Sequence, residues 1–181
     1  MRPEIEIDVF SMASINRAIK ATRDYKKWLD NRTQVFIERL QQVGIEAALM
    51  YYEKASYAGE PDVLVDLPVP VKKKGGGYTA RVRATGDTVL FIEFGTGIRY
   101  ENPHQLAYGF FPGSYGPKGL QPWGWFYTGT PGRYAPPGTE QAKGHPNSVH
   151  TYGNPANMPM YQTRDHILTL FASIAEEVFA K

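Results

Sequence analysis

The 181-residue chain contains no cysteine, which excludes a disulfide framework, a thiolate metal site and a cysteine nucleophile. It also lacks an excess of either charge, since 20 Lys and Arg oppose 18 Asp and Glu. No uncharged apolar run reaches the roughly 18 residues that a membrane-spanning helix needs, and the N-terminus carries acids where a signal peptide would be apolar. We therefore expect a protein made in a reducing compartment, with no membrane partner.

The short motifs of common catalytic and metal sites are missing as well. The histidines at positions 104, 145, 150 and 166 include no i, i+4 pair and no HExxH. No serine lies in G-x-S-x-G, and the glycine-rich stretch at 72–78 lacks the Gly-Lys-Ser/Thr ending of a phosphate loop. We predict no catalytic activity, no metal and no cofactor, with the histidines bonded to backbone carbonyls in loops.

What the chain has in quantity is 18 Gly, 14 Pro and 24 aromatic residues, and residues 95–153 hold 12 of the Gly, eight of the Pro and two of the three Trp. That stretch carries few charged residues, which is not typical of a solvated linker. We predict a single α+β domain over residues 1–181 with a long irregular Gly/Pro/aromatic insertion at 97–157. Aromatic side chains at this density favour packing against a partner, which another protein could supply.

Apolar periodicity predicts the helices. The pattern Ile5, Ile7, Val9 indicates a short opening strand. From about residue 12 to 55 there is no proline, which predicts a helix of roughly 60 Å, either single or bent near Asp30 and Asn31, capped by Ser11 or Ser14. Charges in residues 1–60 balance at nine against nine, as on an ordinary solvated face. A C-terminal helix begins near Met158, with Asn157 and Pro159 at its start.

Between the helices, period-2 alternation predicts a three-stranded antiparallel meander. Its first strand covers 63–71 and is an edge strand because of Pro68 and Pro70. A hairpin tip at 72–77 leads to a strand at 78–85, and a tight turn at 86–87 leads to a central strand at 88–94. Glu93 is expected to pair across strands with Arg81 or Arg83. The fold class is α+β, with the long N-terminal and C-terminal helices packed on this small sheet.

Two side-chain clusters have open interpretations. The aromatic run Trp123, Trp125, Phe126 and Tyr127 either stacks on carbohydrate rings or pins the insertion to the sheet. A carbohydrate hydrolase would also need a pair of carboxylates, and the insertion offers only Glu101 and Glu140. The basic run Lys72, Lys73 and Lys74 is either a mobile hairpin tip or a surface that faces DNA with a salt-sensitive contact.

Several short runs together resemble the phage tail-component family, the head-to-tail joining or tail-completion proteins of long-tailed phages. The runs are Phe91 to Gly97 (FIEFGTG), Asn102 to His104 (NPH), the aromatic run 123–127, His150 to Ala156 (HTYGNPA) and Met158 to Tyr161 (MPMY). Many family members have Arg-Pro-Phe where this chain has Met158-Pro159-Met160, and the insertion here is longer than in the short members.

The resemblance implies a non-enzymatic structural virion protein of the phage neck, made in the host bacterial cytoplasm. It implies a homo-oligomeric ring, expected to be six-fold, that contacts connector, neck and tail-tube or tail-terminator proteins, with at most weak non-specific DNA contact. The family-motif residues in this chain are Glu93, Phe94, Gly95, Thr96, Pro155 and Pro159. A carbohydrate or cell-wall binding module that uses the aromatic insertion remains the alternative.

Overall fold

The computed structural model describes residues 6–66, 71–72, 76–100 and 117–180. The predicted edge prolines Pro68 and Pro70 lie outside these residues, as do Glu101 and the resemblance run 102–104. The chain divides into two compact units. Unit 1 comprises residues 1–43, 68–81 and 167–181, and unit 2 comprises residues 44–67 and 82–166.

The two predicted long helices are confirmed. α1 runs from Met12 to Glu53 as one helix of 42 residues, without a break at Asp30. Ser11 supplies its cap, because Ser11 Oγ accepts the N–H of Ser14 at 3.3 Å. α3 runs from Pro159 to Phe179. Neither these helices nor any other described helix is long and apolar enough to cross a membrane.

The predicted opening strand is wrong within the described residues. Residues 6–8 have no regular structure and residues 9–10 form a turn. Ile7 and Val9 are exposed, and the N–H of Asp8 donates to Ser14 Oγ at 2.9 Å, which folds the segment onto the start of α1. Alternating apolar residues make a strand only where a partner strand and a covered face exist, and the described residues supply neither here.

Unit 1 has a small core between the two long helices. Phe36 of α1 packs against Ile174 and Val178 of α3, and its ring lies 5.1 Å from that of Phe171 in an edge-to-face contact. The unit also contains the hairpin of β2 (Val71–Lys72) and β3 (Tyr78–Thr79), in which Lys72 pairs with Tyr78.

Unit 2 contains a second antiparallel pair, β1 (Leu64–Asp66) with β4 (Arg83–Thr85), in which Val65 is opposite Ala84. Its core gathers Tyr52, Ala55 and Ile92, with Val65, Ala84 and Met160 packed around them. The predicted packing of helices on a small antiparallel sheet is therefore present in this unit.

The predicted central strand at 88–94 is wrong, because residues Val89–Phe94 form a helix, α2. The turn before it is present, and Asp62 holds this turn by accepting the N–H groups of Asp87 at 2.8 Å and Thr88 at 2.9 Å, directly before the helix begins. A short apolar run cannot be assigned to strand or helix by periodicity alone. The predicted strand at 78–85 is interrupted at 80–82, so it forms β3 and β4 with different partners, and a helix takes the place of the third strand of the meander.

The described part of the insertion is more regular than predicted. A 3-10 helix at Pro117–Leu120 precedes a three-stranded antiparallel sheet in unit 2. The strands are β5 (Trp125–Thr128), β6 (Glu140–Gln141) and β7 (Ser148–Thr151), with β7 in the centre. Trp125 lies opposite Thr151 and Phe126 lies opposite His150.

The core of unit 1 can be tested by truncating its central ring. Phe36→Ala removes a buried aromatic side chain, so the free energy of unfolding should fall by about 3–5 kcal/mol in urea titration. Val35→Ala, at the neighbouring exposed position, is the control and should change it by less than about 1 kcal/mol. Equal losses in the two variants would contradict the described core.

Candidate functional site

The resemblance runs on either side of the insertion meet in one place, which we call the α2–α3 junction and define as residues 91–97 and 151–161. Thr96 and Asn154 form a two-way backbone bridge, with N–H to carbonyl distances of 2.9 and 3.1 Å. The last turn of α2 is tied to the start of α3, because the N–H groups of Asn157 and Met158 donate to the carbonyls of Ile92 and Glu93. Segments about sixty residues apart therefore form one unit of structure.

Glu93 caps α3 from a distance. Its Oε2 accepts the N–H of Met160 at 3.0 Å and its Oε1 accepts the N–H of Tyr161 at 3.2 Å. Pro159 has no N–H to satisfy and Met158, the residue before it, has no side-chain acceptor, so the first free donors of the helix go to Glu93. A carboxylate at this end also interacts favourably with the helix dipole.

The expected cross-strand pairing of Glu93 with Arg81 or Arg83 is wrong. Arg83 instead forms a bidentate pair with Asp66 on the neighbouring strand. Arg81 offers its backbone carbonyl to Gln41 Nε2 at 2.8 Å. The cross-strand rule failed because Glu93 lies on a helix, where the neighbouring groups are set by the packing of α2 against α3.

Burial sets the electrostatics of Glu93. The residue is 7% exposed, and burial raises the pKa of its carboxyl, while the N–H groups of Met160 and Tyr161 act in the opposite direction. The hydroxyl of Tyr52 lies beside it, without a partner of good hydrogen-bond geometry among the described residues. Burial, followed by the nearby charge of Glu93, raises the pKa of Tyr52.

Two asparagines complete the junction, of which Asn154 is buried and Asn157 is half-buried. Asn154 Nδ2 donates to the carbonyl of Phe91 at 2.9 Å, and Thr96 Oγ1 donates to Asn154 Oδ1 at 2.6 Å. Asn157, which the sequence predicts as the cap of α3, instead brackets Ser56: its Oδ1 accepts the Ser56 N–H and its Nδ2 donates to the Ser56 carbonyl, both at 2.8 Å. Sequence reasoning missed these roles, because the partners lie far away in the chain.

Glycine is required where the two segments approach. Gly95 has φ +76, and a Cβ there would lie 2.7 Å from the N of Ala156. Gly153 has φ +97, and a Cβ there would lie 2.1 Å from the carbonyl oxygen of Thr96. A side chain at either position is therefore excluded for two reasons: the positive φ disfavours any residue other than glycine, and the facing backbone leaves no room for a Cβ atom.

The remaining family-motif residues also lie in the junction. Phe94 ends α2 half-buried, and Pro155 is half-buried between the two asparagines. Pro159 is fully buried at the first position of α3, where its fixed φ suits a helix start. The prediction that it is a first-turn residue is confirmed.

The aromatic run differs in exposure along β5 and the turn before it. Trp123 and Phe126 are 69% and 58% exposed, whereas Trp125 and Tyr127 are half-buried. The Tyr127 hydroxyl donates to the carbonyl of Ala58, so this residue holds the sheet to the chain that follows α1. The ring of Phe126 lies in a ring cluster, with His150 5.0 Å from Phe126 in a tilted contact and 4.8 Å from Tyr152 in an edge-to-face contact.

An open cavity of about 400 Å³ lies beside this ring cluster. Phe126, Glu140, Lys143 and His145 contribute to its lining. His150 Nε2 lies 2.8 Å from the carbonyl oxygen of Trp123, a backbone contact of the kind predicted for the histidines.

In the part of the chain that the structure describes, titratable side chains come together around the cavity lined by Glu140, Lys143 and His145. That part contains no group of three or more His, Asp or Glu side chains placed to hold a metal ion. Of the predicted DNA-facing lysines, Lys72 has its backbone in β2, and Lys73 and Lys74 lie outside the described residues. The junction holds backbone segments together, and the cavity that its described residues form beside Gly95 and Thr96 has a volume of only about 10 Å³.

No protein-family model, curated protein or solved structure matches this chain. Membership of the phage tail-component family therefore stays a prediction from the quoted runs.

Glu93→Gln tests the electrostatics of the junction. Burial raises the pKa of Glu93 above its ordinary value of 4.5, so the folded state binds the proton more tightly than the unfolded state does. The contribution of Glu93 to the free energy of unfolding therefore falls as the pH rises from about 4.5 through the raised pKa. The stability advantage of the wild type over the variant should be largest near pH 4 and should shrink toward pH 7, measured by urea unfolding. An advantage that grows with pH would contradict this prediction, and Glu140→Gln, at an exposed position, is the matched control.

Gly153→Ala tests the close approach of the two segments. Gly144 also has a positive φ, +77, but a Cβ there meets nothing within 4 Å. Gly144→Ala should therefore cost only about 1 kcal/mol of unfolding free energy, from backbone strain, and Gly153→Ala about 1–3 kcal/mol more, from overlap with Thr96. Equal costs by thermal or urea unfolding would show that the segments are further apart than described.

Proposed function

We propose that the protein is a structural subunit of the phage neck that joins or completes the tail by assembling into a ring. The observation that carries the proposal is the α2–α3 junction. The resemblance runs before and after the insertion, which are separate in the sequence, contact each other through Glu93, Thr96 and Asn154. Shared short runs are more informative when they build one structural element than when they are scattered.

The described chemistry supports a role through contacts. The polar groups of the junction are engaged with backbone atoms, and its glycines close the space that a ligand would need. A subunit of a ring needs apolar surface to bury against its neighbours. Leu120, Trp123 and Phe126 supply exposed apolar side chains on the insertion, within a short stretch of chain.

The carbohydrate or cell-wall binding alternative retains one specific observation, the open cavity beside Phe126 with Glu140 and His145 in its lining. Aromatic faces next to polar groups are suited to sugar rings. Trp125 and Tyr127 are half-buried, so Phe126 replaces them as the stacking surface in this alternative. Pull-down on peptidoglycan and glycan resins separates the two functions, since the neck proposal expects no retention and no effect of Trp125→Ala.

The ring is tested first by its mass. The purified protein, alone and mixed with connector and tail-tube neighbours, should give a light-scattering mass that is a multiple of its 20.3 kDa subunit, with six subunits expected. It should also be found in virions by mass spectrometry. A monomer in every mixture, together with absence from virions, would overturn the proposal.

The interface is tested by the double variant Trp123→Ser, Phe126→Ser. Because both side chains are exposed, the variant should keep its thermal midpoint within about 2 °C while losing the oligomer. Leu90→Ser, an exposed apolar position on α2 in the same unit, is the control and should keep the oligomer. An unchanged mass in the double variant would exclude the aromatic run from the interface.

A further inference from the structure

One stretch of α1 is exposed on every side. All nine side chains from residue 19 to 27 are exposed, which is two and a half turns of helix. The contacts of α1 with α3 in unit 1 include the ring of Trp28, 6.4 Å from that of Phe179, and the Phe36 core further along. An amphipathic helix of a folded domain normally buries one face against the core, so this stretch has a role other than packing.

The same stretch concentrates positive charge. We call residues 17–27 the basic segment; it holds the five cations Arg17, Lys20, Arg23, Lys26 and Lys27 and the single acid Asp24. None of these cations forms an ion pair with a residue that the structure describes. The charge balance of residues 1–60, which predicts an ordinary solvated face, conceals this local excess.

The cations are arranged along the helix. Lys20, Arg23 and Lys27 follow the i, i+3, i+7 pattern that places side chains on one face, and they span about 10 Å at 1.5 Å per residue. A helix with its side chains is about 10–12 Å in diameter, which is close to the roughly 12 Å width of the major groove of DNA. Long basic side chains on a stretch of helix that the described residues leave exposed can therefore reach the phosphates along a groove.

The amino-acid composition of the basic segment favours a nucleic acid over an acidic protein as its partner. Lysine is depleted at protein–protein interfaces, whereas three of the five cations here are lysines. Protein–DNA interfaces are much more positively charged. We propose that the basic segment of α1 binds the phosphate backbone of double-stranded DNA without reading its sequence.

A second basic feature lies in the same unit. Lys72, predicted to face DNA, pairs in β2 with Tyr78, and the Tyr78 hydroxyl lies 3.3 Å from Gln34 Oε1 and 3.5 Å from Asp30 Oδ2. Asp30 is one helical turn beyond Lys27. The Tyr78 side chain of the hairpin thus contacts α1 within two helical turns of the end of the basic segment.

The test measures binding of full-length protein to a fluorescent duplex of about 25 base pairs by anisotropy, between about 50 and 200 mM salt. The triple variant Lys20→Gln, Arg23→Gln, Lys27→Gln should bind about tenfold more weakly at low salt, and its salt slope should fall by about 2–3. The control triple variant Lys54→Gln, Arg133→Gln, Lys143→Gln removes the same charge from exposed positions in unit 2 and should keep both values near wild type. Circular dichroism checks folding, and Lys20→Glu gives a second, smaller change at the same surface.

Three outcomes would overturn the inference. They are an absence of binding at low salt, an equal loss in both triple variants, and displacement of the duplex by polyglutamate as efficiently as by unlabelled DNA, which would indicate an acidic protein partner. The inference stands apart from the neck proposal. A monomer that binds DNA but is absent from virions overturns only the neck proposal, and a virion ring without DNA binding overturns only this inference.

Discussion

A single buried carboxylate at the start of α3 is the interaction on which the described part of unit 2 depends. Glu93 lies at the end of α2 and takes the first two available N–H groups of α3, while Gly95 and Gly153 let the chains around it come into backbone contact. Burying a carboxylate is costly unless its oxygens are hydrogen-bonded. The two N–H groups reduce that cost, and in return α3 starts at one fixed place.

This arrangement gives the proposed neck function a physical basis. A ring subunit must present the same surface in every copy, and a junction of close backbone contacts holds the two flanks of the insertion at a fixed separation. The insertion, which carries the exposed Trp123 and Phe126, is thereby anchored at both ends. The basic segment of α1 belongs to the other unit and adds a charged surface of a different kind.

The sequence predicts the secondary structure correctly where the pattern of apolar residues is long and its cause lies in neighbouring residues. The 42-residue α1 and the start of α3 at Pro159 follow from a sustained 3.6-residue period and from proline chemistry. The prediction of a strand at 88–94 is wrong, because a short apolar run has no period and Asp62, which holds the turn before α2, lies 25 positions before Asp87. The partners of Glu93 lie 67 and 68 positions away, so no local rule could find them. Alternation along β5 predicts two faces, but only the fold shows that Phe126 lies on the exposed one.

Amide hydrogen exchange at Met160 and Tyr161 tests the central claim most directly. If Glu93 caps α3, these two N–H groups should exchange as slowly as amides in the interior of the helix, and Glu93→Ala should speed their exchange by at least about tenfold while amides beyond the second turn change less. Fast exchange of both amides in the wild-type protein, or exchange that Glu93→Ala leaves unchanged, would contradict the account.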